Sequence, residues 1–206
     1  MNNIGRTVIF GLALLGALLW APAPTLADGI TTYTESSMAS GSLGSTSFSN
    51  ALVTINLLGN TSTVLTVSPG IFEDSGAATV TVQGIGTATF TDSLVVFDND
   101  HVVQFCPCVG IFDSTLLLDV LDTRNSAFGT YGLTTNIGPI TGSSLFNPGK
   151  SFATTDGKFV LSSSSTGNST FTATTAAPEP SSLLLLGVGF AGLFCARRKK
   201  ARNAAS

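Results

Sequence analysis

Among 206 residues there are one histidine, one tryptophan, two tyrosines and three cysteines, and only 10% of the side chains are charged. Each shortage excludes something. One histidine and no paired-cysteine array leave no zinc or haem site of the usual kind, and no cofactor is implied. No G-x-S-x-G elbow accompanies His101, so a serine-hydrolase triad has no frame. No C-x-x-C occurs, which removes the thioredoxin-like redox motif. Basic residues are scarce in the bulk of the chain: residues 28–177 hold eleven acids against Arg124, Lys150 and Lys158, a net charge of −8. Such a segment repels nucleic acid and other polyanions.

What fills this segment is hydroxyl-bearing: 26 Thr and 21 Ser. Its length suits one domain with a core of its own.

The two ends differ in composition. Arg6 precedes the apolar run Val8–Trp20, 13 residues long and short for a bilayer span. Pro22 and Pro24 interrupt it, and Thr25-Leu26-Ala27 places small residues at −3 and −1. This predicts a secretory signal over residues 1–27, cleaved after Ala27; the other reading is an uncleaved anchor. At the far end, Pro178-Glu179-Pro180 and two serines lead into Leu183–Ala196, 14 residues, and then Arg197-Arg198-Lys199-Lys200. As a helix that run is about 21 Å long against a hydrocarbon core of about 30 Å, and snorkelling side chains extend its reach. The basic cluster belongs on the cytoplasmic side, which leaves the acidic segment outside. Gly187, Gly189 and Gly192 favour close packing against another membrane protein.

The order P-E-P, short apolar span, R-R-K-K resembles a PEP-CTERM sorting signal, a tail also classified as an ice-binding-protein C-terminal motif. The resemblance covers residues 178–200. It implies handling by an exosortase, an integral-membrane transpeptidase, with Pro178, Glu179 and Pro180 as the recognition triplet. It implies a transient anchor at Leu183–Ala196, a membrane stop at Arg197, Arg198, Lys199 and Lys200, and a cytoplasmic remainder at residues 201–206. Proteins with this tail are typical of Gram-negative bacteria that make exopolysaccharide. It implies nothing about the passenger's activity. Thr81–Asp92 and Leu121–Tyr131 resemble stretches of small secreted proteins of unknown function that carry the same tail.

The passenger reads as all-β, an antiparallel sandwich or jelly-roll-like domain over residues 28–171 with a linker at 172–177. Ala51–Leu58 alternates apolar and polar residues, and Gly59-Asn60 predicts a hairpin turn returning through Thr61–Val67 to a stop at Pro69-Gly70. Thr79–Val82 and Thr87–Thr91 flank Gly84-Ile85-Gly86. Leu94–Phe97 and Val102–Phe105 flank a polar tip. Ile111–Leu121 is a buried strand or a short helix, undecided by periodicity. Arg124–Leu133 suggests one helical turn. Lys158–Ser163 and Ser169–Thr174 close the domain around a low-complexity loop at Ser162–Asn168. Short β-branched segments between Gly, Pro and Asn turns support this class.

Several groups are candidates for chemistry. Asp98, Asn99, Asp100 and His101 share the expected tip, and a calcium site there would need Asp92 and Asp113 brought close; the alternative is a solvated turn. Cys106 and Cys108 flank a proline, with Cα atoms about 6.5 Å apart in extended geometry, near the limit for a disulfide. A bond between them, free thiols and cross-links between chains all remain open. Threonines alternate at Thr79/Thr81, Thr87/Thr89/Thr91 and Thr170/Thr172/Thr174, as on an ice-binding ladder or any solvent-facing strand. Glycoside hydrolysis needs two carboxylates. Sugar stacking would fall to Tyr33 or Tyr131, because Trp20 lies in the signal. Together these features predict an exported, non-enzymatic surface or matrix protein, with extracellular polysaccharide as partner. A glycan-acting enzyme and an ice- or calcium-binding module are the alternatives.

Overall fold

The computed structural model describes residues 29–100 and 107–176. The signal segment, the expected Ala27 cleavage site, His101, Cys106 and the whole sorting tail lie outside the described residues. The first strands are β1 (Ile30–Leu43), β2 (Thr46–Asn60), β3 (Leu65–Ser68) and β4 (Ile71–Ser75). They are followed by β5 (Ala77–Val82), β6 (Gly86–Thr89), β7 (Leu94–Asn99) and β8 (Cys108–Asp113). The series ends with β9 (Leu118–Arg124), β10 (Ile137–Leu145), β11 (Ser151–Thr154) and β12 (Gly157–Thr175). Helical content among the described residues is two 3-10 turns, Thr61–Thr63 and Ser126–Phe128, each capped by the asparagine before it. The second falls within the predicted helical turn.

All pairings are antiparallel, as the sequence predicts. A single hydrogen-bonded path runs β3-β4-β7-β8-β9-β10-β12-β1-β2-β5-β6, with β11 on β12. The sheet is nevertheless sandwich-like, because it doubles back. Tyr33 on β1 and Asp74 on β4 stand six strands apart in that order, about 29 Å in a flat sheet. Their side chains meet at 3.2 Å. The bend lies at β10, which pairs with β12 up to Ser143 and with β9 from Ser143 onward.

The inner surface is rich in aromatic side chains. Phe171 stacks on Tyr33 with centroids 6.4 Å apart, and Phe128 and Tyr131 meet it edge-on at 5.7 and 6.0 Å. Val53, Ile55, Leu57, Val80, Val96 and Ile111 complete this core. A second aromatic group, Phe48, Phe90 and Phe159, fills the far end of the long strands.

Several expectations are corrected. Gly59-Asn60 does not turn a hairpin: β2 runs through it, and the chain leaves by the Thr61–Thr63 turn so that β3 pairs with β4. Asp98 is not at a tip but inside β7, opposite Val109. Ile111–Leu121 is neither one strand nor a helix. It is the β8–β9 hairpin, turned where Asp113 Oδ1 accepts from the Thr115 and Leu116 N–H groups, both at 2.8 Å. Ser162–Asn168 is not a loop but part of β12, which absorbs it with irregular register against β1. Residues 172–175 are not a linker: β12 continues to Thr175, with Ala173 buried beside Phe171.

Candidate functional site

The outer face of β4, β7, β8 and β9 carries a groove of about 190 Å³, lined by Ile71, Glu73, Phe97, Asn99, Phe112 and Asp119. Register places these residues. Glu73 pairs with Phe97, Phe97 with Gly110, and Gly110 with Asp122, while Phe112 pairs with Asp119. A bulge between Ile111 and Phe112 inserts one extra residue in β9. Val120 and Leu121 both turn inward and are buried, so Asp119 and Asp122 share the outer face although they are three positions apart. Asp119 is fixed through its backbone: its N–H donates to Asn147 Oδ1 at 2.6 Å, and its carbonyl accepts from Asn147 N at 3.2 Å. Partial burial raises the Asp119 carboxyl above its usual range. Phe97 and Phe112 lie edge to face, centroids 6.2 Å apart at 75°. Both are half-buried, and they form an aromatic platform between two carboxylates. Opposite Phe97 stands Gly110, where the Asp122 side chain occupies the space a side chain would take. A Cβ there would overlap the Asp122 side chain.

The residues singled out in the sequence fall elsewhere. Tyr33 and Tyr131 are core residues, 0% and 6% exposed, so neither stacks a sugar. Asp98 is buried, and its Oδ2 accepts from Gly132 N at 2.6 Å. Desolvation, opposed by that bond and aided by Asp100, pushes it up to about 7. Asp113 pairs with Leu94 at the other end of the β7–β8 ladder from Asp98, and Asp92 Oδ2 is taken by Ala153 N at 2.6 Å. Among the described residues, the carboxylates of the alternative calcium reading are therefore not brought together. No three His, Cys, Asp or Glu side chains gather as metal ligands among the described residues. Cys108 is buried at the start of β8; its proposed partner Cys106 is outside the described residues.

The threonine alternation is brought together. Cross-strand register aligns Thr141, Thr170, Ser36, Thr54, Thr81 and Thr87 in one row, and Thr172, Thr34, Asn56, Thr79 and Thr89 in the next. Adjacent members bond at 2.8 Å, as in Thr81–Thr87, Thr141–Thr170 and Thr34–Asn56. Thr91 lies outside the strands.

A buried acid, Glu35, was not singled out by the sequence. It is 0% exposed on β1, and burial raises its carboxyl well above the usual range. Glu35 Oε1 contacts Thr123 Oγ1, Thr123 Oγ1 contacts Ser169 Oγ at 2.8 Å, and Ser169 Oγ donates to the Asp122 carbonyl at 2.8 Å. Two hydroxyls supply two protons for three contacts. A protonated Glu35 supplies the third, so the neutral acid completes the chain.

No helix among the described residues is long and apolar enough to cross a membrane. Residues 176–199 match the family model of the PEP-CTERM protein-sorting motif. The chain thus carries this sorting motif directly behind β12, whose exit is closed by the bond from Ala176 N to Ile30 O at 2.8 Å. In general such a motif implies export, membrane-associated sorting and exosortase processing. No curated protein and no solved structure matches the chain.

Proposed function

We propose that the chain is an exported, non-enzymatic protein of the cell surface or exopolysaccharide matrix, sorted through its tail. The observation that carries this reading is the PEP-CTERM motif at residues 176–199. In this account the signal is cut after Ala27. Leu183–Ala196 then holds the protein in the membrane with Arg197, Arg198, Lys199 and Lys200 as the stop. An exosortase reads Pro178, Glu179 and Pro180, and the β-rich passenger reaches the surface of a Gram-negative cell. The experiment is alanine replacement of all three triplet residues in the native host. The unprocessed chain should accumulate in the membrane fraction; unchanged processing and location would refute the reading.

A second reading is favoured by the two threonine rows. Strand spacing of about 4.8 Å and a two-residue repeat of about 6.7 Å make a two-dimensional hydroxyl array suited to ordered water, hence to ice. Sheet twist turns successive strands out of plane, which limits the matching area and ranks this reading second. Thermal hysteresis of the purified protein, lost on Thr54→Tyr, tests it; its absence in the unaltered protein rejects it.

A further inference from the structure

We propose that the groove floored by Phe97 and Phe112 binds one ring unit of an uncharged polysaccharide chain. This inference rests on the matrix reading above and names the partner chemistry.

A pyranose ring is amphipathic. Its C–H faces pack on aromatic rings, and its rim of hydroxyls donates to carboxylates and amides. The groove presents both halves of that complement: the Phe97–Phe112 pair in the floor, with Glu73, Asn99 and Asp119 around it. Its volume of about 190 Å³ is below the roughly 300–1,000 Å³ of pockets for drug-sized ligands, which fits a single ring. The row through Glu73, Phe97 and Gly110 continues at one end to Leu65 on β3, 65% exposed. From Leu65 to Phe97 it crosses three strands, about 10 Å, so a neighbouring unit of a longer chain has a surface to follow.

Charge selects against the alternatives. Every ionisable group lining the groove is acidic, and the passenger carries a net −8. Uronate-rich or sulfated chains are repelled. The partly desolvated Asp119 gains most from hydroxyl donors held close to it.

The test uses the full chain in mild detergent, titrated by calorimetry with short uncharged gluco-, manno- and galacto-oligosaccharides, and with oligogalacturonate as the anionic control. Binding of at least one uncharged oligosaccharide is expected, with none of the uronate. Phe112→Ala and Glu73→Gln should each weaken it about tenfold or more, a loss of about 1.4 kcal/mol. Glu73→Gln keeps shape and volume, so it remains informative if the phenylalanine variant folds poorly. The proposal is overturned if no uncharged oligosaccharide binds, if the uronate binds equally, or if both variants bind unchanged. Because this binding is read in solution, its failure leaves the sorting account standing, and failed sorting in the host leaves the groove's affinity unaffected.

Discussion

Phe97 and Phe112 meet edge to face across β7 and β8, with centroids 6.2 Å apart, on the side of the sheet away from the core. Two aromatic rings on a solvent-side sheet face contribute little to the interior. Strand alternation places them there, and the bulge in β9 brings Asp119 to the same face.

Gly110→Ala should disturb this arrangement directly. The added methyl meets Asp122 Oδ1, Cα and Cβ, atoms of a paired strand that have no room to retreat. Overpacking of this kind costs about 1–3 kcal/mol. Denaturant unfolding should show that loss, and glycan affinity should fall with it.

Asp98 should make stability depend on pH. Its folded value is raised from 3.8 to about 7, so the folded state keeps its proton where the unfolded chain has released it. The stability that the neutral Asp98 contributes is therefore fully present below about pH 4 and is lost as pH rises through about 7. At about 1.4 kcal/mol per unit the decline is on the order of 4 kcal/mol. Asp98→Asn keeps an oxygen for the Gly132 N–H and should flatten this slope. An identical slope in the variant would refute the assignment.

Glu35 acts in the same direction from deeper in the core. Glu35→Gln retains a donor toward Thr123 and cannot ionise, so it should match the parent protein in acid and exceed it in stability above neutral pH. Thermal melts at both ends of that range check this. Equal melts throughout would mean that Glu35 titrates alike in the folded and unfolded chain, and would refute its raised carboxyl.

Asp74 ties β4 to β1 and to the end of β2. It accepts from Tyr33 Oη at 3.2 Å, Asn60 N at 2.8 Å and Thr63 Oγ1 at 2.8 Å. Asp74→Ala leaves Asn60 N without its acceptor, while Tyr33 Oη and Thr63 Oγ1 keep the Leu133 and Asn60 carbonyls at 3.0 and 2.8 Å, so the loss should be roughly 1–2 kcal/mol. Urea unfolding should register it as a lower midpoint.

The sequence made the all-β class legible where apolar residues alternate, as in Val53, Ile55 and Leu57, and in the β5–β6 hairpin around Gly84-Ile85-Gly86. It hid β1, the strand between β12 and β2, because the inward positions there are Thr31, Tyr33, Glu35 and Ser37. Polar residues facing the core erase the alternation that marks a strand. The groove was hidden for another reason. Glu73, Phe97, Gly110 and Asp119 come from four strands and meet only through register, which the bulge shifts by one residue. The sorting tail was legible because its signal is contiguous. The Gly59-Asn60 turn misled because glycine and asparagine also suit the exit into a 3-10 turn, where Asn60 Oδ1 caps Ser62 N at 2.9 Å.

The central claim, sorting through the tail, is tested most directly by the intact mass of the protein recovered from membrane, matrix and medium of its native host. The account predicts a form lacking residues 1–27 and truncated after Pro180, concentrated in the matrix or at the surface. A full-length tail confined to the membrane fraction would contradict it and leave a permanently anchored protein instead.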